Sequence, residues 1–192
     1  MALKIISGLA RNIQLDTPPD RSMRPTAGRA REALFSSLGD LSGKRIADIF
    51  AGSGAVGLES VSRGAAAAVL VEANPRHVQY IEQNIAKLRR AGVTAPVEVM
   101  RRKVFAGTLM AVGHCDIWFF DPPYAESGIF LRDLLASDAI LQLWQDALLI
   151  WEMPDTTEAR AIFQQIPDLH NKLDCQIRNL GGTDFLWGRV RR

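Results

Sequence analysis

Apolar residues along this chain fall into short runs of two kinds. Residues 46–50, 66–71, 96–100, 117–120 and 147–151 are compact runs rich in Val, Ile, Leu and Phe and bounded by Gly, Pro or charged residues, and each predicts a β-strand. Between them the apolar positions recur at helical spacing. The clearest case runs from Pro75 to Ala91, with Val78, Ile81, Ile85 and Leu88 on one face and Arg89 and Arg90 at the C-terminal end, where cations are favoured. Helices are also predicted over residues 27–38, with Thr26 as cap and Leu34, Phe35 and Leu38 facing inward, over 54–63, and over 158–166. Residues 117–120 are apolar throughout, as expected of a strand covered on both faces.

The two ends of the chain read differently. Residues 3–6 and 12–15 predict a hairpin, followed by a loop over 16–24 that contains Pro18-Pro19. Residues 173–179 and 184–190 predict an antiparallel pair turned at Gly181-Gly182. Alternating strands and helices give an α/β fold with a doubly wound, mainly parallel seven-stranded sheet of Rossmann-like type. Residues 1–25 form an N-terminal hairpin extension in this reading, and residues 26–192 the main domain.

Composition adds bounds. A chain of 192 residues, 47% hydrophobic and 23% charged, fits one globular domain with a three-layer core. No apolar run approaches the roughly 18 residues of a membrane span, and the N-terminus carries Lys4 with no leader-like apolar core, so a cytoplasmic location is expected. Cys115 and Cys175, with His77, His114 and His170, form no ligand spacing, and no metal site is expected. The net charge of +2 hides a segregation. Residues 1–103 carry 16 Lys and Arg against 9 Asp and Glu, whereas residues 104–174 carry 3 against 11. A basic N-terminal half beside an acidic one points to a polyanionic partner, and Lys4, Arg11, Arg21, Arg24, Arg29 and Arg31 make its first segment a candidate for phosphate contact.

Two motifs carry chemistry. The first strand passes through Asp48 and Phe50 into Gly52-Ser53-Gly54 and then Gly57, a Gly-x-Gly-x-x-Gly corner. Gly52 and Gly54 let the backbone turn and approach a ligand, and Gly57 lets the helix pack on the strand. The second strand ends in Glu72, about twenty residues on, where a ribose hydroxyl pair is held in such folds. Together they predict a site for an adenosine-containing molecule. The second motif, Asp121-Pro122-Pro123-Tyr124, ends the fourth strand. Two prolines fix the backbone and cannot donate, leaving a carboxylate and carbonyls as acceptors beside a ring. That set suits a planar base bearing an exocyclic amine, with Tyr124 stacking on it and Asp121 and the Pro122 carbonyl taking the amine hydrogens.

The two motifs resemble those of S-adenosylmethionine-dependent methyltransferases acting on exocyclic amines. Over nearly the whole chain the resemblance extends to the RsmD-type guanine-N2 methyltransferases of small-subunit (16S) ribosomal RNA. It is carried by Lys4-Ile5-Ile6-Ser7-Gly8, Arg24-Pro25-Thr26 with Arg29, Arg31-Glu32-Ala33-Leu34-Phe35, residues 48–59 with Ser62-Arg63-Gly64-Ala65, and residues 121–124. The resemblance implies that S-adenosylmethionine lies against Asp48, Phe50, Ala51, Gly52, Ser53 and Gly54, that Glu72 holds its ribose, and that Asp121, Pro122 and Tyr124 hold the target base. It implies RNA contact through Lys4, Arg11, Arg24 and Arg29, with ribosomal RNA, naked or in a partly assembled small subunit, as partner; a monomer is expected. The chain departs from the family pattern at Gly28, commonly acidic, at Asn12, commonly glycine, and at Arg102-Lys103, where an acidic or amide residue often faces the adenine. Backbone groups near Val104 are then the expected adenine contact.

Other readings share parts of this pattern. A nicotinamide dehydrogenase would use the glycine corner and Glu72 but gives no role to Asp-Pro-Pro-Tyr. Methyl transfer to a DNA adenine, another RNA guanine or a protein glutamine would use the same tetrapeptide. A non-catalytic RNA-binding assembly factor would keep the fold alone.

Overall fold

The computed structural model describes residues 3–18, 28–153, 163, 166 and 169–191. Its centre is a seven-stranded sheet: β1 (Arg45–Ile49), β2 (Ala67–Glu72), β3 (Val97–Arg101), β4 (Ile117–Phe120), β5 (Leu148–Glu152), β6 (Leu173–Leu180) and β7 (Thr183–Val190), in the order β3-β2-β1-β4-β5-β7-β6. The first five strands are parallel. β7 joins β5 antiparallel and β6 closes the edge as its hairpin partner, as the sequence pattern predicts. The strand order reverses at the β1–β4 junction, so the carboxyl ends of these neighbours flank the crevice where doubly wound sheets bind ligands.

Seven helices accompany the sheet: α1 (Gly28–Leu38), α2 (Ala55–Ser62), α3 (Pro75–Arg90), α4 (Ala106–Val112), α5 (Tyr124–Leu135), α6 (Asp138–Leu143) and α7 (Leu169–Lys172), counted among the described residues. α3 starts as its sequence dictates, with Pro75 in its first turn and the Asn74 side chain accepting from Arg76 N at 2.9 Å. The α4, α5 and α6 segments are helices that periodicity did not predict. The cap expected at Thr26 and most of the helix expected over 158–166 lie outside the described residues, as does Arg24.

Period-2 alternation along the strands divides the core in two. Ile46, Ala68, Leu70, Ile117, Phe119, Leu148 and Ile150 face one layer, with α1 to α3. Ala47, Ile49, Val69, Val71, Trp118, Phe120, Leu149 and Trp151 face the other, with α4 to α6. This parity decides which strand-end residues share a face.

The N-terminal hairpin makes one ladder bridge, Lys4 to Gln14, rather than two full strands, and its backbone bonds include Ile5 N to Ile13 O at 2.9 Å. Asn12 sits at φ 70°, a left-handed conformation that asparagine tolerates better than most residues, which explains how it serves in place of glycine. Ile5, Ala10 and Leu15 are buried in the same layer as α2, worth roughly 1.5–3 kcal/mol for each large side chain.

Every residue of α2 is buried because the hairpin covers its outer face. The fully buried Glu59 carboxylate accepts from Ile6 N at 2.7 Å, Ser7 N at 3.0 Å and Arg63 Nε at 2.7 Å. Ser62 Oγ accepts from Ala10 N and donates to Ser7 O. Gly8 lies so close to α2 that a Cβ there would sit 1.8 Å from Ser62 O.

Arg31 corrects the charge reading. Its guanidinium is buried beside Glu59 at 4.0 Å and donates to the Lys4 carbonyl, so it holds the hairpin and does not face solvent. A charge buried this way is paired by necessity; removing Glu59 would leave it uncompensated at a cost of about 3–5 kcal/mol.

Candidate active site

The glycine corner forms where β1 leaves the sheet. Phe50, Gly52 and Gly54 all adopt positive φ, at 67°, 56° and 77°, and the turn is closed by Gly54 N to Ala51 O at 2.7 Å. Gly54 is needed for packing as well as for the turn, since a Cβ there would lie 2.8 Å from Leu70 Cδ2. Gly57 plays the part expected of it: an added Cβ would meet Leu70 Cδ1 at 2.7 Å and Asp48 Oδ2 at 3.2 Å.

Asp48 and Glu72 hold this corner in shape. Asp48 is buried and its Oδ2 accepts from Gly57 N at 2.8 Å, tying β1 to the first turn of α2. Burial pushes its pKa up to about 7, with the Gly57 N–H opposing and the Glu72 charge adding to the rise. Glu72 Oε2 accepts from Gly52 N at 2.8 Å, and Oε1 accepts from Asn74 N at 2.8 Å with His77 Nδ1 at 3.6 Å. Each carboxylate oxygen keeps acceptor capacity for a ligand hydroxyl.

Ser53 is buried and its carbonyl accepts from Asn84 Nδ2 at 3.1 Å. Asn84 also exchanges two bonds with the Asp16 backbone, at 2.7 and 3.0 Å, so α3 links the corner to the end of the hairpin. Val104 is half-buried after β3, and the preceding Arg101, Arg102 and Lys103 are exposed. The Lys103 carbonyl accepts from Thr108 Oγ1 at 2.7 Å, which fixes the start of α4 beside it.

The second motif leaves β4 beside this corner. Asp121 N donates to Ile49 O at 3.3 Å, so the tetrapeptide starts in register with the last residue of β1. Pro122 is buried and Pro123 exposed, and the Pro123 carbonyl accepts from Glu126 N as α5 begins. α5 is anchored behind the motif by a buried bond from Trp151 Nε1 to Ser127 Oγ at 2.8 Å and by the edge-on contact of Phe130 with Phe50, centroids 5.5 Å apart. The backbone of Tyr124 opens α5; its ring lies outside the described part of the structure.

Asp121 is half-buried. Its carboxyl is held well above the usual carboxylate range by burial, then by the charges of Glu152 and Asp48. Glu152, buried at the end of β5, was not among the residues singled out from sequence. The signal was present: β5 is an apolar strand that ends in an acid at the same edge as Glu72 and Asp121.

The residues expected to meet RNA separate. Lys4, Arg11 and Arg29 are exposed, on the hairpin and the first turn of α1, and Lys4 Nζ donates to Asn12 Oδ1 at 3.3 Å. Arg24 falls outside the described residues. No described helix is long and apolar enough to cross a membrane.

Comparison with known proteins bears on this arrangement. The family described as "Conserved hypothetical protein 95" matches residues 3–178. A Bacillus subtilis (strain 168) relative, named as a candidate rRNA methyltransferase, is 31% identical over 78% of this chain and 82% of its own length. "Ribosomal RNA small subunit methyltransferase D" of Escherichia coli (strain K12) is 34% identical over 64% of this chain and 60% of its own length. Among solved structures, an Escherichia coli protein titled as a candidate methyltransferase superposes with a TM-score of 0.72 at 26% identity, covering 100% of both chains. A Thermus thermophilus protein of hypothetical title gives 0.68 at 31% identity, covering 98% and 99%. The match over residues 3–178, with a relative 31% identical along most of both lengths, establishes that the chain belongs to this family, the RsmD-type methyltransferases.

Proposed function

We propose that this protein transfers a methyl group from S-adenosylmethionine to the exocyclic N2 amine of a guanine in small-subunit ribosomal RNA. The observation that carries the reading is the adjacency of two strand ends: the glycine corner after β1 and the acceptor-rich Asp121-Pro122 exit of β4, neighbours where the sheet order reverses. The names of the relatives, which act on ribosomal RNA by their titles, support the substrate class.

The residues fit the cofactor. The Phe50–Gly54 turn brings backbone to the crevice, Glu72 has acceptor capacity for a ribose hydroxyl, and Val104 stands at the third strand end, where an adenine would lie. S-adenosylmethionine supplies an electrophilic methyl on a sulfonium, so its chemistry requires neither metal nor covalent enzyme intermediate. Asp121 and the Pro122 carbonyl accept from the amine, hold the nitrogen lone pair towards the corner, and favour the geometry that withdraws it from the ring. The nitrogen would gain the methyl as the bond between that methyl and the sulfonium sulfur breaks to leave a neutral thioether, and it would shed one proton, for which the Asp121 carboxylate is the proposed acceptor. Tyr124 stacks on the extruded base. Lys4, Arg11, Arg24 and Arg29 contact RNA phosphates, and the enzyme works as a cytoplasmic monomer on naked RNA or a partly assembled subunit.

The test is transfer of a tritiated methyl group to small-subunit rRNA, supplied naked and in partly assembled particles, followed by complete digestion to nucleosides. Label in N2-methylguanosine is the expected result. Label in N6-methyladenosine, or none with either substrate, overturns the reading.

A further inference from the structure

The parity of the sheet places a second acceptor beside Asp121. Ile117 and Phe119 of β4 and Leu148 and Ile150 of β5 all face the α1–α3 layer, whereas Phe120 and Trp151 face the other. Two residues beyond Phe119 and Ile150, on that same face, come Asp121 and Glu152. The strands pair with Phe120 opposite Trp151, and Asp121 and Glu152 are the residues that follow that last pair. The charge of Glu152 is the larger of two that oppose ionisation of Asp121, the other being Asp48, so the two acceptors are close enough to interact.

Resting on the guanine reading above, we propose that Glu152 is a specificity-determining residue of the base subsite, accepting from guanine N1–H while Asp121 accepts from the adjacent N2 amine. Guanine is the purine that presents two neighbouring donors, N1–H and N2–H2, on its Watson–Crick edge. Two neighbouring carboxyl groups offer an acceptor to each of those donors. Adenine brings an amine and an N1 lone pair, so one of the two carboxylates would face a lone pair. Asp121 by itself grips any exocyclic amine; Glu152 is what makes the pair read guanine.

The probe is 2-aminopurine, which keeps the N2 amine but carries a lone pair at N1. RNA with guanine or 2-aminopurine at the methylated position, naked and in reconstituted subunits, is assayed with the full chain for kcat/KM of methyl transfer. Wild type should prefer guanine by roughly 10- to 100-fold. Glu152→Gln can turn its amide N–H towards an N1 lone pair, and should bring the guanine to 2-aminopurine ratio down by about tenfold or more, while S-adenosylmethionine affinity by calorimetry stays within about threefold. A ratio near one in wild type overturns the assignment without any variant, and so does a ratio that Glu152→Gln leaves unchanged. In both cases guanine is still methylated and the proposed function stands. Absence of product on the guanine RNA instead removes that function, and the assignment with it.

Discussion

The two strand ends that flank the candidate site hold their acids differently. At the β1–β2 edge the acids are engaged by backbone: Asp48 takes Gly57 N, and Glu72 takes Gly52 N and Asn74 N. At the β4–β5 edge, Asp121 and Glu152 stand as neighbours whose charges oppose one another. The first edge is a preformed cradle whose shape is set before any ligand arrives. At the second, burial and the charges of Glu152 and Asp48 hold the Asp121 carboxyl above the usual carboxylate range. The lesson is that acids at neighbouring strand ends can differ in what they do: Asp48 and Glu72 fix the backbone of the corner, whereas Glu152 bears on the ionisation of Asp121.

This contrast breaks first at Asp121. Asp121→Ala should lower kcat for methyl transfer by about 100-fold or more, with S-adenosylmethionine affinity unchanged within about threefold by calorimetry. Asp121→Asn keeps one acceptor and should recover part of the loss; near-normal turnover in the alanine variant removes the role given to this edge. On the cradle side, Glu72→Ala leaves Gly52 N and Asn74 N without their acceptor. It should weaken S-adenosylmethionine binding by roughly 10- to 100-fold while RNA binding by filter retention is unaffected.

Smaller effects sharpen the picture. Replacing Lys4, Arg11 and Arg29 together by alanine should flatten the dependence of RNA affinity on salt, the slope of log K against log salt falling by about one for each phosphate that the protein ceases to neutralise. An unaltered slope takes the hairpin and α1 out of the RNA interface.

The smallest effect concerns Asp48, whose folded pKa of about 7 lies above its ordinary value near 4. The folded state therefore binds more protons than the unfolded state between those values, and this carboxyl makes stability fall as pH rises through that window. Asp48→Asn retains an acceptor for Gly57 N and should remove about 1–3 kcal/mol of that decline, measured by urea unfolding at pH 5 and pH 8. An undiminished decline would show that Asp48 does not titrate there.

Much of this was legible in the chain. Runs such as Ile117-Trp118-Phe119-Phe120 announce a strand covered on both sides, and the Gly52-Ser53-Gly54 turn and the Asp121-Pro122-Pro123 exit are local conformations written in residues with restricted or unusual backbone preferences. Short helices were not legible. α4 spans 7 residues and α6 spans 6, too few turns to show a period, and α5 follows two prolines and carries Gly128. Their helicity comes from packing on the layer formed by Trp118, Phe120, Trp144 and Trp151.

Charge was the least legible feature. Arg31 reads in sequence as one more basic residue of a basic segment, yet it is buried against Glu59; Glu152 reads as the ordinary end of a strand, yet its charge bears on Asp121. Backbone preference and apolar period act over a few residues, so sequence alone determined the strands, the glycine corner and the proline exit. Register and layer packing depend on pairs such as Phe120 with Trp151, 31 positions apart, or Ile6 with Glu59, 53 apart. Only the tertiary structure decided which charges are buried, which are exposed, and which two acids share one edge, because the energy of a charge is set by what surrounds it and not by its neighbours along the chain.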